Sequence, residues 1–269
     1  MRPLKKWLKG LRHNLAGSPP PASPFAAEAK LIVHCSHHKM GTVWFANLLR
    51  AVAVSFGLPY TSVNLHTRRV TVERGILLQT HGHIGPAELP DFIGSHMIRD
   101  LRDVVVSGYF YHLRTAEEWA HVPDPRYGNR SYQQHLSGLD RHAGLLAEID
   151  HFAASPNFPV LASWDFHDSR FLNLRYEDMV ADEAGGFQRL FRHYGFRAAA
   201  VEQAVEIALQ FSAGKLPIER TSQESWARHI RSGRPGEWRD VFHPEHTQRF
   251  KERLGDLLIR LGYEHDHAW

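Results

Sequence analysis

Short apolar runs with polar tips alternate along this chain with segments whose apolar residues recur at three- and four-residue steps. "KLIVHCS" (30–36) is β-branched and apolar, the pattern of a parallel strand buried on both faces. From Thr42 to Phe56 the residues Trp44, Phe45, Leu48, Leu49, Val52 and Phe56 recur at helical spacing, and Gly57 supplies a stop. "GILLQTH", from Gly75, and "FIGSHMIRD", from Phe92, predict two further buried strands. A helix is expected over Leu101–Leu113, with Asp100 and Asp103 in its first turn complementing the helix dipole. "SYQQHLSGLDRHAGLLAEIDHFAAS" reads as one amphipathic helix and "RFLNLRYEDM" as a strand ending in polar residues. Glu183–Tyr194, Ala198–Phe211 and Glu245–Leu261 read as helices. Such alternation indicates an α/β fold, a central parallel sheet with helices on both faces. No repeat and no second apolar core interrupts it, so residues 27–269 read as a single domain.

The first 26 residues differ. Leu4, Trp7, Leu8, Leu11 and Leu15 share one helical face, with Lys5, Lys6, Lys9 and Arg12 on the others. Two readings stand: a helix packed on its own domain or a loose tail, and a peripheral contact of residues 1–16 with an anionic membrane surface. The Pro-rich "SPPPASP" then reads as a linker.

Composition narrows the chemistry. The 269 residues are 43% hydrophobic and 23% charged, ordinary for a globular protein. A net charge of +3 and a pI near 9.0 suit an anionic ligand, without the dense basic stripe of a nucleic-acid binder. Cys35 is the lone cysteine, which excludes an intrachain disulfide and favours a cytoplasmic setting. Twenty histidines are scattered with no metal-ligand spacing, so no structural metal is expected. No apolar run reaches the length of a membrane span, about 18 residues.

The candidate chemistry begins at "HCSHHKMGTVWF" (34–45). A tight turn between a strand and a helix aims several backbone N–H groups at one point, and the dipole favours an anion there. Gly41 permits close backbone approach, Lys39 adds charge and Thr42 a hydroxyl. The Gly-x-x-x-x-Gly-Lys-Ser/Thr order of a nucleotide-hydrolysing P-loop is absent, and Lys-x-Gly-Thr by itself recurs by chance. In "IRDLRDVVVSGYFYH", Arg99 stands at a strand end and Ser107 eight residues later on the next helix, a guanidinium fork and a hydroxyl for a second phosphate.

Together the two loops resemble the signature of the sulfotransferases that use 3′-phosphoadenosine 5′-phosphosulfate (PAPS) and release adenosine 3′,5′-bisphosphate (PAP). Their first loop, near Pro-Lys-Ser-Gly-Thr-Thr-Trp, holds the 5′-phosphosulfate and matches "HKMGTVW". Their second, near Arg-Asp-x-Arg-Asp-Val-x-Val-Ser, holds the 3′-phosphate and matches "RDLRDVVVS". "LRYEDM" matches a segment whose tyrosine, here Tyr176, lies against adenine. "RSGRPGEWRDVF" resembles the late Arg-Lys-Gly…Gly-Asp-Trp-Lys segment. The resemblance runs from about Lys30 to Phe242 and implies a P-loop-like sulfotransferase fold. It assigns Lys39, Met40, Gly41, Thr42, Val43 and Trp44 to the phosphosulfate loop, Arg99, Ser107, Arg231, Ser232 and Gly233 to the 3′-phosphate, and no metal. Val43 stands where a second threonine is usual, and Ser232 where a lysine is usual.

Sulfuryl transfer needs in-line geometry, charge stabilisation at the leaving oxygen and an activated acceptor. Lys39 suits the leaving-group side. The base is expected to be a histidine of "QTHGHIGP", at a strand's C-terminal tip. The family's Lys-Thr-His points to His81, with His83 as rival and Gln79 in place of the lysine. The acceptor is expected to be a hydroxyl or amine on a small molecule, saccharide or lipid-linked group. Its pocket falls to 58–66, 83–90 and 114–141, and oligomeric state is unreadable. A Mg²⁺-dependent phosphotransferase and a non-catalytic nucleotide-binding module are the alternatives.

Overall fold

The computed structural model describes residues 23–28, 30–64, 67, 69–155, 157–212 and 233–269. The N-terminal amphipathic pattern and most of the Pro-rich stretch therefore lie outside the described residues, as do Arg231 and Ser232. The described chain divides into two compact units, Met1–Ile98 with Ser163–Leu216, and Arg99–Ala162 with Pro217–Trp269.

The first unit is built on a sheet. In chain order it contains β1 (Leu31–Ser36), α1 (Thr42–Ser55), β2 (Tyr60–Val63), β3 (Gly75–Thr80) and β4 (Phe92–Ile98). β5 (Phe171–Arg175), α6 (Tyr176–Ala181), α7 (Glu183–His193) and α8 (Ala198–Leu209) complete it, the helices α2 to α5 belonging to the other unit. The strands run parallel in the order β2-β3-β1-β4-β5. β1 lies at the centre and is wholly buried, which is why its sequence lacks polar alternation. Leu31, Val33 and Cys35 enter a cluster with Leu77, Phe92, Trp164 and Phe171. His34 faces the other way and stacks on Phe45 of α1, with centroids 4.2 Å apart. At Gly94 an added Cβ would lie 2.5 Å from the Phe171 ring, so only glycine lets β5 close against β4 there.

The second unit comprises α2 (Leu101–His112), α3 (Tyr132–Ser137), α4 (Arg141–Ala153), α5 (Asn157–Ala162) and α9 (Pro244–Arg260). Val106, Tyr109, Tyr132, Leu136, Leu145 and Val241 form its core cluster. Glu148 is buried within it and is held by the Tyr132 hydroxyl at 2.6 Å and by His112 Nδ1 at 2.9 Å.

Four sequence expectations change. The helix expected across "SYQQHLSGLDRHAGLL" is two helices, α3 and α4, because Gly138 ends the first and Asp140 caps the second by accepting the Ala143 N–H at 2.8 Å. The strand expected through "RFLNLRYEDM" stops at Arg175, and Tyr176 begins α6. Tyr60–Val63, assigned from sequence to an acceptor pocket, pairs with β3 as an edge strand. Pro24 and Ala26, expected in the linker, exchange backbone hydrogen bonds with Arg197 and Gly195 at 2.8 and 2.9 Å.

Buried neutral histidines make the first unit acid-sensitive. Burial lowers the pKa of His34 and of His37 to about 3, and pushes His96 down as well. The unfolded chain takes up these protons near its ordinary pKa of about 6.5, and the folded chain does not. Stability is therefore full above that value and declines as pH falls from 6.5 towards 3. Denaturant midpoints between pH 7 and 4 should fall more steeply in wild type than in His34→Phe; parallel curves would show that His34 does not contribute.

Candidate functional site

The loop between β1 and α1 is shaped by its backbone. Gly41, the N-cap of α1, is left-handed with φ 82°, and Lys39 is left-handed with φ 62°. A lysine in that region costs about 1 kcal/mol or more, and such strain concentrates at working sites. Met40 is fully buried and anchors the loop. The Met40 N–H turns back to His37 O at 3.0 Å. Thr42 Oγ1 donates to His37 O at 3.0 Å and accepts from Ser36 Oγ at 2.9 Å. Thr42, Val43 and Trp44 open the helix, so their N–H groups precede its regular ladder and point out of its N-terminus.

Trp44 is a core anchor, 2% exposed, with Tyr176 and Phe187 against it at 6.0 and 5.7 Å. Tyr176, at the start of α6, covers the loop from above: a Cβ on Gly41 would sit 3.6 Å from its ring. The structure thus brings Gly41, Trp44 and Tyr176 together.

The tip of β3 lies beside this loop. The His81 N–H donates to Ser36 O at 2.6 Å, joining the base candidate to the residue that ends β1. His81 has φ 83°, so both residues with expected chemical roles, Lys39 and His81, hold left-handed backbone. Gln79, the departure from the family's lysine, is fully buried and brackets the turn. Its Oε1 accepts from Ile84 N at 3.1 Å and its Nε2 donates to Ile84 O at 3.4 Å. His83 lies within the same turn and is bonded through Nε2 to Thr67 O at 3.1 Å. A carbonyl only accepts, so His83 carries its proton on Nε2.

Beneath the loop runs a buried relay that the sequence did not reveal. Asn173 Nδ2 donates to Phe166 O at 3.0 Å, which leaves its Oδ1 facing His96 Nδ1 at 3.4 Å. His96 must then be protonated on Nδ1, and its Nε2 accepts from His37 Nε2 at 2.9 Å. Trp164 stacks on His96 with centroids 3.8 Å apart. His37 and His96 are therefore neutral supports of the loop, and the pattern "HH" before Lys39 gave no sign of a partner in β4.

In the second unit, Arg99 follows β4 directly and is 5% exposed, and Ser107 stands half-buried on α2. Asp100 and Asp103 do more than complement a dipole. Asp100 accepts the Arg102 N–H at 3.0 Å and both guanidinium arms at 2.9 and 2.7 Å. Asp103 accepts Gly236 N at 2.6 Å and Trp238 N at 2.9 Å. Arg102 is thus committed to carboxylates, which leaves Arg99 as the phosphate candidate of "RDLRD". Gly233 has φ 64°, a conformation suited to glycine.

Among the described residues, no group of three or more His, Cys, Asp or Glu is placed to hold a metal ion. None of their helices is long and apolar enough to cross a membrane.

A parallel sheet with a tight strand-to-helix loop at the C-terminal end of its central strand defines the P-loop-like α/β class. The sulfotransferase domain model matches residues 95–262, well over half of the chain, and the chain belongs to that family of PAPS-dependent enzymes. Mouse sulfotransferase SULT7A1, solved complexed with PAP, is similar at 18% identity and TM-score 0.55, covering 87% of this chain and 86% of its own. Retinol dehydratase, solved with androsterone and the inactive cofactor PAP, is similar at 18% identity and TM-score 0.50, covering 96% of this chain and 85% of its own. At such identity the likeness establishes the fold. No curated protein sequence matches the chain.

Proposed function

We propose that this protein transfers the sulfuryl group of PAPS to a hydroxyl of a small-molecule acceptor, releasing PAP, without a metal ion. The observation that carries this reading is the pair of left-handed residues, Lys39 and His81, at the tips of adjacent strands β1 and β3. Within the first unit, backbone N–H groups and a lysine at one loop with a tyrosine ring above it suit a phosphosulfate, and within the second a guanidinium and a hydroxyl suit a phosphate.

PAPS supplies the activated sulfuryl group. Thr42 and the N–H groups from Gly41 to Trp44 hold the 5′-phosphate, the Thr42 hydroxyl turning from His37 O to do so. Lys39 stabilises the negative charge that grows on the leaving oxygen, and His81 accepts the proton of the acceptor hydroxyl. Tyr176 lies against adenine, with Trp44 as the anchor behind it. Arg99, Ser107 and Gly233 hold the 3′-phosphate, together with Arg231 and Ser232. Residues 27–269 act as one catalytic domain in the cytoplasm. A small-molecule acceptor is supported by the androsterone in the retinol dehydratase complex. Saccharide and lipid-linked hydroxyls belong in the same acceptor screen.

The first experiment is calorimetry with PAP and with ATP in excess EDTA, on wild type and Arg99→Ala. Wild type should prefer PAP, and the variant should lose about 100-fold in PAP affinity, as expected when charge-assisted hydrogen bonds to a phosphate are removed. ATP binding that appears only when Mg²⁺ replaces the EDTA would instead support a phosphotransferase. Tight PAP binding with no product across the screen would support a binding module.

A further inference from the structure

A part of the second unit has no place in the chemistry above, yet it is buried and densely bonded. Arg102 is 1% exposed and lies on α2 between Arg99 and Ser107. Its arms are taken by Asp100, as above, and by Glu264 at 2.5 Å. Its guanidinium also lies over two indole rings, 3.9 Å from the centroid of Trp238 and 4.6 Å from that of Trp269. The two indoles meet edge to face, with centroids 6.2 Å apart at 82°. Trp269 is fixed from its other sides by Phe250, at 5.9 Å, and by the Lys251 ammonium, 4.7 Å over its ring. Lys251 also donates to the carbonyls of His267, at 2.9 Å, and of Trp269.

Trp238 belongs to the short stretch that follows Gly233. That stretch is tied down twice on α2: through its backbone, by Asp103 receiving Gly236 N and Trp238 N, and through its side chain, by Arg102. One helix therefore carries Ser107, directly follows Arg99, and holds the segment that presents Gly233.

Resting on the sulfotransferase reading, we infer that Trp269 is a positioning residue for the 3′-phosphate site. By packing its ring against the Arg102 guanidinium and edge to face on Trp238, it holds Trp238, and with it Gly233, in register with Arg99 and Ser107. Arg102 is not a phosphate ligand, since two carboxylates and two rings occupy it. Trp269 touches no reacting atom, so its loss acts on one half of the cofactor only.

The 3′-phosphate distinguishes PAP from adenosine 5′-monophosphate (AMP), so the ratio of their affinities isolates its site. Both ligands are titrated calorimetrically into wild type, Trp269→Ala and Trp269→Phe. In Trp269→Ala the PAP-over-AMP preference should fall about tenfold, the scale of one well-buried cation–π contact, with AMP affinity held within about twofold. Trp269→Phe keeps an aromatic face and should recover most of the preference. Equal weakening of both ligands, or an unchanged ratio, overturns the inference. Should Trp269→Ala not fold, Trp269→Leu against Trp269→Phe gives the same contrast of apolar bulk with and without a π face. A wild type that binds PAP no better than AMP overturns the 3′-phosphate assignment itself, and it does so before any variant is made.

Discussion

Lys39→Met should lower kcat by about 10²- to 10³-fold while weakening PAP by less than about tenfold. The asymmetry follows from where the charge develops. On the proposed reading, the ground-state phosphates already carry their charge and would be met by backbone N–H groups of the loop and by Arg99. The bridging oxygen becomes fully anionic only as the sulfur–oxygen bond breaks, so a cation placed there acts mainly in the transition state. Backbone strain supports this assignment over a solvated surface lysine. A lysine at φ 62° is held in an unfavourable region by the turn, and glycine would adopt that region at little cost. Methionine retains the stem and removes the ammonium. Single-turnover measurements with preformed complex separate the chemical step from binding. A rate within a fewfold of wild type would remove Lys39 from the leaving-group side.

His81→Ala should cost about 10²- to 10⁴-fold in kcat, the range for a positioned general base. It should also abolish the acidic limb of the pH–rate profile, because protonating an imidazole removes its capacity to accept the hydroxyl's proton. His83→Ala is the necessary control, with a loss of less than about tenfold expected from loosening the turn. His81 is tied to the end of β1, three residues of chain from Lys39 along the phosphosulfate loop. His83 spends its ring proton on Thr67 O. If His83→Ala loses the acidic limb and His81→Ala keeps it, the role of base passes to His83.

Much of the first unit was legible because burial on both faces leaves a strand no room for polar alternation. "LIVHCS", "GILLQT" and "FIGSHMI" could be read on that ground, and α1, α7 and α8, like α9 of the second unit, from their spacing. β2 was missed because "YTSV" is a short edge strand with three of its four residues part-exposed or exposed, so its pattern carries little signal. The helix break after Ser137 was written in Gly138 and Asp140, but the apolar spacing on either side is nearly continuous. The relay from His37 to Asn173 and the pairing of Arg102 with Trp269 were illegible for a different reason. Each joins residues far apart in sequence, and local pattern says nothing about which buried histidine or arginine finds which partner. Asp103 shows the limit most plainly: a first-turn acid has an adequate local explanation, and its tertiary bonds to Gly236 and Trp238 are invisible until the chain is folded.

Cys35 sits one residue from the C-terminal end of the central strand, 1% exposed, with burial pushing its thiol pKa up. As the lone cysteine of the chain, it gives a single site for thiol labelling. A disulfide reagent reaches it only when the packing over that face of the sheet opens, so the labelling rate in native buffer is a clock for opening of this core. Slowing of that clock by PAP would measure how far holding a nucleotide at the strand's tip steadies the strand itself.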